Sequence, residues 1–153
     1  MPAKSALYDK DFYAWSNEQA ALLRAGRMAQ ADLENIAEEI ESMGKSERNH
    51  LLNRLAVLLA HLLKWQFQPT LRDNSWHLTV REQRRRIARI MSQSPGLQPE
   101  FSAVLQDAYG DALLIAERET GLLETTFPPG CPWSFEQSTD PDFWPERRSG
   151  ERF

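Results

Sequence analysis

Apolar side chains recur every three or four positions along most of this chain, and a glycine or proline closes each run. That spacing marks amphipathic helices. The first is expected from about Asp11 to Ala25, with Phe12, Trp15, Gln19, Leu22 and Leu23 on one face and Gly26 as its stop. A second opens at Asp32, a suitable N-cap, carries Leu33, Ile36, Ala37, Ile40 and Met43, and is expected to end at Gly44. Ser46 can cap a third, which holds Leu51, Leu52, Leu55, Leu58, Leu59, Leu62 and Trp65 and must stop before Pro69. From Leu55 onward this helix is apolar on more than one side, the signature of a buried central helix. A fourth starts near Asn74 or Ser75, places Trp76, Val80, Ile87 and Met91 together, and ends at Ser94-Pro95-Gly96. The fifth begins near Pro99 and runs through Phe101, Val104, Leu105, Ala108, Tyr109, Ala112, Ile115 and Ala116, with Gly121 beyond its end.

No segment alternates with period two, and no Asn-Gly or Asp-Gly hairpin signal occurs. The expected fold is therefore all-α: a compact bundle of about five helices over roughly residues 8–123, joined by short connections. After Leu123 the composition changes. Prolines 128, 129, 132, 141 and 145 alternate with Phe127, Trp133, Phe135, Phe143 and Trp144. Proline forbids a long helix, while large rings seek cover, so residues 124–146 are expected to strap across the bundle. Within them Ser134-Phe135-Glu136-Gln137 matches a capping box and forecasts one short helical turn. Residues 147–153 are expected to fray.

Length and charge narrow the function. A chain of 153 residues fits one domain and hides roughly 70% of its unfolded surface without needing covalent staples. The single cysteine, Cys131, rules out an internal disulfide and a cysteine-based metal site. The most apolar stretch, Leu55 to Leu63, is broken by His61 and stopped by Lys64, far short of a membrane span. The first residues lack the apolar core of a signal peptide, so a cytoplasmic location is expected. A net charge of −4 argues against general polyanion binding.

Several linked motifs resemble one family. Tyr8-Asp9 precedes Asp11-Phe12-Tyr13-Ala14-Trp15; Asp32-Leu33-Glu34-Asn35-Ile36-Ala37-Glu38-Glu39-Ile40-Glu41 follows. Then come His61-Leu62-Leu63-Lys64-Trp65-Gln66, Ser75-Trp76 with Arg81-Glu82-Gln83-Arg84, Cys131-Pro132, and Asp142-Phe143-Trp144-Pro145. In this order they resemble the domain of unknown function family 29, over about residues 8–146. The resemblance implies a helical bundle and a bacterial, intracellular origin, and it implies no reaction. Here Ser138-Thr139-Asp140-Pro141 stands where similar proteins continue the last turn into leucines, so that helix is expected to be short.

Candidate chemistry lies where polar residues interrupt apolar stripes. Gln83 or Arg84 falls in the middle of the inward face of the fourth helix, His61 sits among Leu58, Leu59, Leu62 and Trp65, and Glu38 flanks Ile36, Ala37 and Ile40. Buried polar groups require partners, so Glu38, His61 and Arg84 are candidates to meet, with Trp65 and Trp76 as neighbouring binding residues. The second helix is acidic (Asp32, Glu34, Glu38, Glu39, Glu41) and the fourth basic (Arg81, Arg84, Arg85, Arg86, Arg89), which suits either two facing helices or two solvated faces with weak pairing. A di-iron bundle needs Glu-x-x-His twice; Glu47-Arg48-Asn49-His50 is the sole match, although His50 and His61, three turns apart, leave a mononuclear site conceivable. No cofactor, metal ligand or catalytic residue is assigned, and no Gly-x-Ser-x-Gly, Walker or dinucleotide motif occurs. Three readings follow. The first is a non-enzymatic accessory module that binds itself or another protein. The second is a small-ligand or metal-dependent enzyme using Glu38, His61 and Arg84. The third, disfavoured by the absence of a helix-turn-helix and of a net basic charge, is nucleic-acid binding through the fourth helix.

Overall fold

The computed structural model describes residues 6–145, so the tail expected to fray lies outside the described residues. Among the described residues six α-helices form: α1 Leu7–Lys10, α2 Phe12–Arg24, α3 Leu33–Phe67, α4 Asn74–Gln93, α5 Phe101–Thr120 and α6 Phe135–Thr139. The fold is all-α, with no strand among the described residues. No described helix is long and apolar enough to cross a membrane.

The expectation of five helices needs correction at two places. A one-turn α1 precedes α2, and Asp11 separates them by accepting the Ala14 amide on Oδ1 at 2.9 Å. The second and third expected helices are one helix, α3, of 35 residues. Gly44 does not stop it, because a glycine inside a helix costs only about 1 kcal/mol relative to alanine. Glycine ends a helix when it takes positive φ, as Gly26 does at +74° and Gly121 at +75°; Gly44 does not.

The chain forms two compact units, divided between Ser46 and Glu47. In the first, Trp15 and Gln19 of α2 are buried beside Asp32. Trp15 Nε1 donates to Asp32 Oδ2 at 3.1 Å, the Asp32 amide donates to Gln19 Oε1 at 2.7 Å, and the Asn35 side chain donates to Asp32 Oδ2 at 2.8 Å. Asp32 thereby starts α3 and ties it to α2, and its buried carboxylate is supplied with donors. The Tyr8 hydroxyl donates to Glu39 Oε1.

In the second unit the α3 residues Leu51, Leu55, Leu58, Leu59, Leu62, Leu63 and Trp65 are all fully buried. Val80 and Ile87 from α4, and Val104, Ala108, Ala112 and Ala116 from α5, complete this core. The small residues of α5 leave room for the leucines of α3. The proline-rich segment packs on the core as expected, burying Phe127, Trp133 and Phe135. The Tyr109 hydroxyl donates to Pro128 O at 2.5 Å, and the Ser134–Gln137 capping box forms. The α6 helix has five residues and ends at Asp140-Pro141, where proline cannot continue it.

Candidate functional site

Asp73 Oδ1 accepts the Trp76 amide at 2.9 Å and fixes the start of α4. From there the helical period sends Val80, Gln83, Arg84 and Ile87 inward and leaves Arg81, Arg85, Arg86 and Arg89 exposed. Both polar residues of the inward face are thus buried. Arg84 is only 5% exposed.

Arg84 is held by backbone carbonyls. Its Nε donates to Ser138 O at 2.9 Å and its Nη2 to Phe143 O at 2.7 Å. The guanidinium carbon stands 5.4 Å from the centroid of the Trp144 ring. The third nitrogen, Nη1, is buried without a hydrogen-bond partner. No ion pair involving Arg84 forms among the described residues. Burial pushes its pKa down to about 10, against the more distant pull of Asp140 and Asp142. At neutral pH it is therefore a cation with one donor unused.

Arg84 is also one of the residues around a pocket. His77, Arg81, Arg84, Arg85 and Ala88 from α4 form one wall, and Thr139, Pro141 and Trp144 form the other, around about 410 Å³. The wall is aromatic at one end: Trp144 stacks on His77 with centroids 4.7 Å apart and 10° between planes, and Trp65 lies 4.5 Å from Trp144. A second cavity of about 490 Å³ continues along α4, lined by Leu78, Arg81, Glu82, Arg85, Arg86 and Arg89. The two cavities share Arg81 and Arg85. Glu82 is engaged by Arg86, through contacts of 2.8 and 3.1 Å.

Of the residues singled out in the sequence, Arg84 and Trp65 meet through Trp144. Trp76 receives the Lys64 ammonium 4.6 Å from its ring centroid, and Lys64 also pairs with Glu119 at 3.1 Å. His61 lies one turn before Lys64 on α3; its Nδ1 donates to Val57 O at 2.9 Å. Burial holds its pKa below 6.5, and the Lys64 charge acts in the same direction. Glu38 is exposed and belongs to the first unit. Sequence reasoning did not assign His77, Trp144 or Lys64 to a site. His77 was legible as the residue one turn before Arg81, whereas Trp144 reaches Arg84 across 60 positions and left no periodic signal.

Among the described residues no group of three or more His, Cys, Asp or Glu side chains is arranged to hold a metal ion. His50 makes its contact, at 3.9 Å, with Glu47. Cys131 donates to Trp133 O, and burial raises its pKa away from the reactive thiolate.

Comparison with known proteins finds one family model, described as Domain of unknown function DUF29, matching residues 7–144. No curated protein matches the chain. No solved structure matches it either.

Proposed function

The chain belongs to that family, and we propose that it is a non-enzymatic accessory module that works by capturing an anionic group in the pocket between α4 and the strap. The observation that carries this reading is Arg84: a buried cation at a cavity, paired with no carboxylate among the described residues and with Nη1 lacking a hydrogen-bond partner. A buried cation without a counter-charge is costly, and an incoming oxyanion in the adjoining cavity would supply one. Arg81 and Arg85 stand at the same cavity and offer further forked donors, the geometry that suits carboxylate and phosphate oxygens.

The test is thermal unfolding in sodium phosphate against sodium chloride of equal ionic strength. Phosphate should raise the midpoint of the native chain, as any ligand selective for the folded state does. An Arg81→Ala/Arg85→Ala variant, altered at exposed positions, should lose that difference. Equal midpoints in the two salts for the native chain would remove the proposal.

A protein partner is the second reading, carried by the first unit. There Ile40 and Met43 are 58% and 63% exposed, on a helix face flanked by the carboxylates of Glu34, Glu38 and Glu41. Light scattering across a concentration series tests the self-associating form: a mass above the monomer that Ile40→Lys abolishes supports it, and a monomer at every concentration rejects it.

A further inference from the structure

Charge along α4 defines the ligand more closely than one pocket does. Five arginines occur between positions 81 and 89, with Glu82 as the one carboxylate among them. Glu82 is taken by Arg86. Arg81, Arg85 and Arg89 have no hydrogen bond or ion pair among the described residues, and Arg84 keeps one buried donor unused. Arg81, Arg85 and Arg89 follow one another at intervals of four residues, so each step advances about 6 Å along the helix. Like charges at that spacing repel one another, a cost that a bound polyanion would relieve. The first cavity joins Arg81 and Arg85 to the buried Arg84, and the second, sharing Arg81 and Arg85, carries the row on to Arg89.

We infer that the ligand is a linear chain of three or more phosphoryl groups. Its terminal phosphate occupies the first cavity, beside Arg84, and the remaining phosphates run along Arg81, Arg85 and Arg89. This inference rests on the anion-capture reading and extends it from one anionic group to a row. A single oxyanion occupies the first cavity and leaves Arg89 unused, whereas an oligophosphate engages both cavities. The phosphate chain, free or carried by a nucleoside, is the recognised element. Both aromatic rings at the first cavity, His77 and Trp144, are stacked on each other rather than presented to a base. The second cavity contains no ring at all.

Isothermal titration of the full chain at low salt separates the outcomes, with orthophosphate, pyrophosphate, tripolyphosphate, ATP, citrate and an oligothymidylate as probes. Affinity should rise by about tenfold or more from orthophosphate to tripolyphosphate, and its salt dependence should steepen as more arginines are engaged. Arg89→Ala should shrink that ratio. ATP should bind as tripolyphosphate does, and citrate should bind at least about tenfold more weakly, lacking a chain that reaches the second cavity. Binding of orthophosphate with no gain on lengthening the chain overturns the inference and leaves anion capture standing. Failure of every anion to bind removes both. Citrate as tight as tripolyphosphate overturns the preference for phosphate, and ATP much tighter than tripolyphosphate overturns the claim that the chain alone is recognised. An oligothymidylate preferred over tripolyphosphate at equal charge overturns the inference in favour of single-stranded nucleic acid.

Discussion

Replacing Arg84 by methionine should release the strap from α4. The substitution keeps an unbranched apolar stem but removes the donors to Ser138 O and Phe143 O. Hydrogen bonds from a charged donor contribute about 1.5–3 kcal/mol each, so the gross loss is roughly 3–6 kcal/mol. Part of it returns, because the variant no longer buries a cation; the depressed pKa of Arg84 shows that burial disfavours the charge. A net loss of about 2–4 kcal/mol is expected, in the range reserved for disrupted buried polar networks. Urea unfolding followed by circular dichroism measures it, and the rate of chymotrypsin cleavage around Phe135, Phe143 and Trp144 locates it in the strap. Glu38→Ala serves as the control. Glu38 is exposed, so its removal should change stability by no more than about 0.5 kcal/mol. If Arg84→Met unfolds at the native midpoint and its strap resists protease as before, the guanidinium does not hold the strap, and the account of the pocket built on it fails.

Two further substitutions contrast glycines that look alike in sequence. Gly44→Ala should stabilise the chain by about 0.5–1 kcal/mol, since its backbone has no positive φ and an added Cβ meets nothing within 4 Å. Gly121→Ala should destabilise it by about 1 kcal/mol, because the same methyl must there adopt a φ of +75°; equal effects in urea unfolding would refute the distinction. His61, with its pKa lowered in the folded state, binds its proton more readily when unfolded. Its contribution is therefore present above about pH 6.5 and is lost as the pH falls through 6.5 toward the folded-state value. The urea midpoint should drop over that interval, and His61→Gln should flatten the drop; an unchanged slope would exclude His61 as its source.

Helix starts and stops were legible wherever local chemistry decides them. Asp32 and Ser134 cap as their sequence contexts forecast, whereas Ser46 lies inside α3, and Gly26 and Gly121 end helices with positive φ. Gly44 misled because composition cannot tell a glycine at a stop from one that a helix passes through. The buried polar position on α4 was legible from period alone, as Arg84 shows. Its partners were not, because they are backbone carbonyls of Ser138 and Phe143, 54 and 59 positions away. A carbonyl carries no residue identity, so no side-chain pattern announces it. Glu38 looked like the natural counter-charge for the opposite reason: sequence displays carboxylates and conceals backbone acceptors.

One wall of the pocket, residues 77–88, is made well before the other, residues 139–144. At synthesis rates of about 5–20 residues per second, roughly 3–10 s separate them on the ribosome. During that interval Arg84 is without the carbonyls that will hold it, and no cavity exists. A chain interrupted between Thr120 and Pro141 keeps all the residues of α3, α4 and α5 and still lacks the opposite wall. On the anion-capture reading, binding is thus a property that arrives with the last described residues, and a truncated product would not compete for the ligand with finished copies.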